Sequence, residues 1–98
     1  MKLIKSSGDL RHFVEKMQKG INKTKLAGIV SFHEEEGGMY VQFEKLGTSK
    51  IHYTVTNDSS GFVAKIKKEN VAFTHGIFRR DVEKQLVEMM RRFGAEVD

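Results

Sequence analysis

Between Lys25 and Thr74 the chain repeats one pattern: short runs of alternating apolar and polar residues, separated by turn-forming residues. The runs are Lys25–His33, Met39–Leu46, Lys50–Thr56, Phe62–Lys67 and Val71–Thr74. The breaks are Gly37-Gly38, Gly47-Thr48-Ser49, Asn57-Asp58-Ser59-Ser60 and Glu69-Asn70. Alternation with a period of two sends successive side chains to opposite faces of a strand. A hairpin is therefore acceptable only if its turn sets apolar residues opposite apolar residues. Turns at these breaks meet that condition each time. They pair Phe32 with Phe43, Phe43 with Tyr53, Val41 with Val55, Val55 with Phe62, Tyr53 with Ala64, Ile51 with Ile66 and Ile66 with Phe73. This predicts an antiparallel meander with Val41, Phe43, Tyr53, Val55, Phe62, Ala64, Ile66 and Phe73 inside.

Helical spacing flanks the meander. Ser6 as cap, answered three residues later by Asp9, predicts a helix over 7–20 whose stripe is Leu10, Phe13, Val14, Met17 and Ile21, with Gly20 as its stop. Phe78, Val82, Leu86, Met89, Met90 and Phe93 predict a second helix over 78–93, ended by Gly94. Met1–Ile4 suits a short extra strand. The expected fold is a single α+β domain over residues 1–98. It is a two-layer sandwich in the order α-β-β-β-β-(β)-α, with a four- to five-stranded sheet, both helices on one face and the other face open. In outline this order resembles single-strand-binding domains with a trailing helix, and helix-grip domains that enclose apolar ligands. The chain carries no residue motif of either, so the functional argument rests on its own side chains.

Composition narrows the classes. The chain has no cysteine, which removes disulfides, thiolate metal sites and cysteine nucleophiles. The N-terminus has two consecutive apolar residues, well short of the ~7–15 of a signal peptide, and no run approaches the ~18 of a membrane span. A cytoplasmic protein without a membrane partner is the expectation. A net charge of +4 favours acidic partners: DNA or RNA, or an acidic protein.

The polar half of the alternation supplies the candidate site. The register above puts Ser31, Glu44, His52 and Lys65 in one outward row and His33, Gln42, Thr54 and Val63 in the next. Lys50 and Lys67 stand at one end, and Tyr40 and Thr56 toward the other. Half-solvated sheets often carry such residues as plain surface. As a platform, the lysines suit phosphates, while the single outward aromatic, Tyr40, makes base stacking the poorer mechanism. Arg79-Arg80 is a second candidate, because cations in a first helical turn oppose the macrodipole. Either the helix starts at Asp81 as cap, or the pair, with Lys84 one turn on, forms an anion site, to which the Lys67-Lys68 turn would add if the fold brings it close.

Enzyme chemistry has little to stand on. His12, His33, His52 and His75 show no metal-ligand spacing. Glu34-Glu35-Glu36 reads as a solvated hairpin tip, and the glycines form no phosphate loop. Ser59 and Ser60 have no histidine and acid placed to activate them. No cofactor is expected. The leading expectation is a non-enzymatic basic accessory protein that binds nucleic acid through Lys50, His52, Lys65, Lys67, Arg79, Arg80, Lys84 and Tyr40. The alternatives are a protein-interaction module, as a homodimer or an adaptor on an acidic partner, and a helix-grip binder of an apolar ligand lined by Met17, Met89 and Met90.

Overall fold

The computed structural model describes residues 1–45, 47–71 and 76–98. In chain order the elements are β1 (Leu3–Ser7), α1 (Leu10–Asn22), β2 (Val30–Glu35), β3 (Gly38–Glu44), β4 (Thr48–Asn57), β5 (Gly61–Asn70), α2 (Gly76–Arg92) and β6 (Glu96–Val97). The fold is α+β, with two helices and one curled antiparallel sheet in the order β2-β3-β4-β5-β1-β6. The meander is present as β2 to β5, but the sheet has six strands rather than four or five.

The extra width comes from the N-terminus. β1 lies along β5, from Leu3 opposite Lys65 to Ser7 opposite Gly61, and β6 pairs with its other side. Ser6 and Ser7 thus belong to a strand and not to the first helix. The helix cap is Asp9, whose Oδ1 accepts from the His12 N–H at 2.7 Å. Gly8, at φ 80, supplies the left-handed step between strand and cap. Glu69 and Asn70 form no turn; they extend β5 opposite Ile51 and Lys50. The Ile66 N–H, expected to face a following strand, goes to the Lys2 carbonyl at 2.9 Å. The strand expected over Val71–Thr74, with Phe73, falls largely outside the described residues.

Each hairpin closes at a different place from the one expected. The first turns over Glu36-Gly37, with Gly37 at φ 76, so Val30 faces Phe43 and Phe32 faces Val41. The second turns over 45–47, so Val41 faces Ile51 and Met39 faces Tyr53. The third turns over 58–61. There Asp58 Oδ1 accepts from the Ser60 N–H (2.8 Å), the Ser60 hydroxyl (2.8 Å) and the Gly61 N–H (2.9 Å), and Val55 faces Ala64. Those hydrogen bonds hold the Asp58 carboxyl below its usual range, the Ser60 hydroxyl contributing most. Up to the bulge between His52 and Tyr53 every displacement is an even number of residues, so the inner and outer faces there are as expected while the cross-strand partners differ; beyond it β5 is offset by one further residue.

The core lies between the inner sheet face and the helices. Val41, Phe43, Tyr53, Phe62 and Ala64 are buried as expected, and Val55 and Ile66 are half-buried. From α1, Phe13 meets Phe32 and Phe62 edge to face, with centroids 6.3 and 5.2 Å apart. From α2 come Val82, Leu86 and Met90. Met17 and Met90 are completely buried in this cluster, and Met89 is partly buried against it. Tyr53 donates its buried hydroxyl to the Met1 carbonyl at 2.6 Å, and burial, aided by Glu83 and Glu69, drives its pKa upward. α1 also shields the outer edge of the sheet: Gln18 Oε1 accepts the Phe32 N–H of β2 at 3.0 Å.

Candidate functional site

The outer sheet face is organised around a row that the expected register had broken up. His33 on β2 lies opposite Tyr40 on β3, Tyr40 opposite His52 on β4, and His52 opposite Lys68 on β5. His52 reaches Lys68 through a bulge. Tyr53 faces Ile66, so one extra residue, Lys67, is accommodated before the ladder resumes. The neighbouring rows are Ser31, Gln42, Lys50 and Asn70 on one side, and Glu35, Gly38, Thr54 and Lys65 on the other. His52 is therefore not aligned with Ser31, Glu44 and Lys65, nor His33 with Gln42, Thr54 and Val63.

Within the row the side chains touch. The His33 and Tyr40 rings stack with centroids 4.7 Å apart at 19°, and Tyr40 and His52 lie 5.4 Å apart at 37°. These separations are close to the strand spacing of about 4.8 Å, as expected for rings standing on adjacent strands. Lys50 Nζ sits 5.2 Å from the Tyr40 centroid. His33 Nε2 is 2.8 Å from Ser31 Oγ, and His52 Nδ1 is 2.8 Å from Glu35 Oε2. Because the ring faces are turned on one another, the row offers solvent its edges: a phenol hydroxyl and imidazole nitrogens. Such a row makes hydrogen bonds readily. A base could stack only by extending it at an end.

Charge is divided across this face. Lys50, Lys65 and Lys68 stand on β4 and β5, whereas Glu35 and Glu44 stand on β2 and β3, with Glu44 accepting from Gln42 Nε2. Lys67 is exposed at the bulge. The Glu35–His52 pair has the arrangement of a base and its orienting acid.

The arginine pair separates into two different residues. α2 begins at Gly76, so Asp81 is inside the helix and is not its cap. Arg79 bonds Glu69 of β5 and, through Nε at 3.0 Å, Glu83 one turn along α2. Its side chain is only 20% exposed. Burial alone would lower its pKa, but hydrogen bonding to Glu69 and the charge of Glu83 outweigh that and raise it. Arg79 fastens α2 to the sheet, and its charge is committed there. Arg80 and Lys84 are exposed, and Lys67 and Lys68 are strand residues of β5 rather than a turn beside them.

The sequence pattern reads Glu35 as part of a solvated tip and leaves His33 and Lys68 out of the sheet-face site. Alternation alone puts His33 and Glu35 on the outer face with His52. The bulge that aligns Lys68 leaves no signal in the sequence. No helix among the described residues is long and apolar enough to cross a membrane. No protein-family model matches the chain, and comparison with curated proteins and with solved structures likewise finds no match.

Proposed function

We propose that this chain is a non-enzymatic nucleic-acid-binding protein that holds phosphates on the outer face of its sheet. The observation that supports this best is the His33–Tyr40–His52 row with Lys50 over its centre and Lys68 at its end. Ring edges beside ammonium groups suit phosphate oxygens, which accept both charge and hydrogen bonds. Lys65 and the exposed Lys67 extend the surface, with Thr54 and Thr56 as neutral donors. Arg80 and Lys84 are a secondary patch, and Arg79 acts structurally.

Fluorescence anisotropy against single- and double-stranded DNA and RNA, over a salt series, tests this. Contacts from Lys50, Lys65 and Lys68 give a log–log slope of about two to three, near 0.7–0.9 per neutralised phosphate. Replacing Lys65 and Lys68 by glutamine lowers the slope by about two and weakens all sequences alike, with little effect on folding. Absence of binding at low salt rejects the proposal.

One observation favours a second reading. A face with carboxylates on one half and lysines on the other is complementary to itself, which suits a second copy of this chain packed face to face. Light scattering at low and high salt distinguishes the two: a dimer that dissociates as salt rises supports this reading.

A further inference from the structure

We propose that the helical layer carries a second phosphate-binding surface, so that one copy of the protein bridges two strands of nucleic acid. The inference rests on the sheet-face reading above and adds a distinct set of residues to it. α1 and α2 touch at Gly20, where an added Cβ would lie 2.8 Å from Met89 Sδ and 3.2 Å from Phe93 Cζ. This contact sets the last turns of the two helices side by side. Lys16, one turn before Gly20, places Nζ 4.9 Å from the Phe93 ring centroid. Lys19 and Lys23 flank Gly20 along α1, and Arg92, three residues after Met89, shares the same flank of α2. Lys25 follows in the next loop.

All five cations are exposed, and none has a carboxylate within ion-pair distance among the described residues. Glu15 and Glu88 stand one turn from Lys19 and Arg92 and weaken the field without pairing. The two helix C-termini take up about one further unit of charge. A net positive patch remains. It lies across the core from the ring row, because α1 turns Phe13, Val14, Met17 and Ile21 inward and its lysines outward. In a molecule measuring 40 × 27 × 21 Å, one phosphate cannot reach both surfaces, whereas two short strands can each occupy one.

The test uses a thymidine oligonucleotide of about six residues, within the ~4–16-nucleotide footprints of single-strand platforms. Half of it carries a donor dye and half an acceptor. The wild-type protein at low salt should give energy transfer between oligonucleotides, and native mass spectrometry should show one protein chain with two of them. Lys16→Gln/Lys19→Gln/Lys23→Gln should lose the transfer while keeping first-strand affinity within about twofold, since exposed charges act locally under screening. Lys19→Gln/Lys23→Gln/Lys25→Gln spares the Lys16–Phe93 contact and should behave alike, so misfolding cannot account for the loss. A single bound strand in wild type, weakened by the sheet lysine variants, overturns the bridging inference and leaves the sheet-face reading standing. Undiminished transfer in both helix variants also overturns it, because bridging would then come from a dimer. No oligonucleotide binding at all overturns the sheet-face reading, and this inference with it.

Discussion

Gly38→Ala tests the register that creates the ring row. Gly38 opens β3 opposite Thr54, and a Cβ built there lies 1.9 Å from the Tyr53 carbonyl oxygen and 3.0 Å from its carbon. Both are backbone atoms of β4, so no side-chain rotation relieves the clash. The strands must part locally. Overpacking of this kind costs about 1–3 kcal/mol, and each ladder hydrogen bond lost adds about 1 kcal/mol. The expected destabilisation is about 2–4 kcal/mol, or a fall in Tm of roughly 10–25 °C for a domain of this size. Gly20→Ala is the control. Its Cβ meets the ends of the Met89 and Phe93 side chains, which can shift, and alanine gains about 0.5–1 kcal/mol over glycine inside a helix. That variant should stay within about 1 kcal/mol of wild type. Urea denaturation of both variants decides the matter. If Gly38 lay in the turn, as the Gly37-Gly38 spacing suggests, alanine there would be mild. A cost below about 1 kcal/mol would falsify the register and dissolve the row.

Further outcomes follow from the same geometry. Phe43→Ala, at 1% exposure, should cost about 3–5 kcal/mol, whereas Gln42→Ala on the outer face should cost less than about 0.5 kcal/mol; equal small effects in denaturant titrations would show the faces misassigned. Glu35→Gln removes a carboxylate beside His52 and should tighten oligonucleotide binding about three- to tenfold at low salt, an advantage that fades as salt rises; weaker binding would mean that Glu35 positions the row. The lowered pKa of Asp58 means that its contribution to stability is complete above about pH 4 and is lost as pH falls through the folded-state value. Asp58→Ala should therefore be less stable than wild type at neutral pH and converge with it in acid; a constant difference in thermal melts from pH 7 to pH 2 would contradict this.

What the sequence determined was parity. Alternation through Val41–Phe43, Ile51–Val55 and Phe62–Ile66 assigned inner and outer faces, because a slip of two residues leaves every side chain on its own face. Helical spacing likewise identified the stripe of α1 and, from Val82 to Phe93, that of α2, while Phe78 lies outside the described side chains. Register was beyond it, since several turns satisfied the same parity. The choice among them depended on the close approach of Gly38 to β4, the Asp58 bonds to Ser60 and Gly61, and the bulge after Ile66. Only tertiary contact could stack His33, Tyr40 and His52, or commit Arg79 to Glu69 and Glu83. The same holds for seating β1 beside β5, a pairing across more than fifty residues that no local pattern records. Local periodicity reports which side of an element faces apolar surroundings; the identity of a neighbour depends on long-range packing, where candidate arrangements differ by only a few hydrogen bonds of about 1 kcal/mol each.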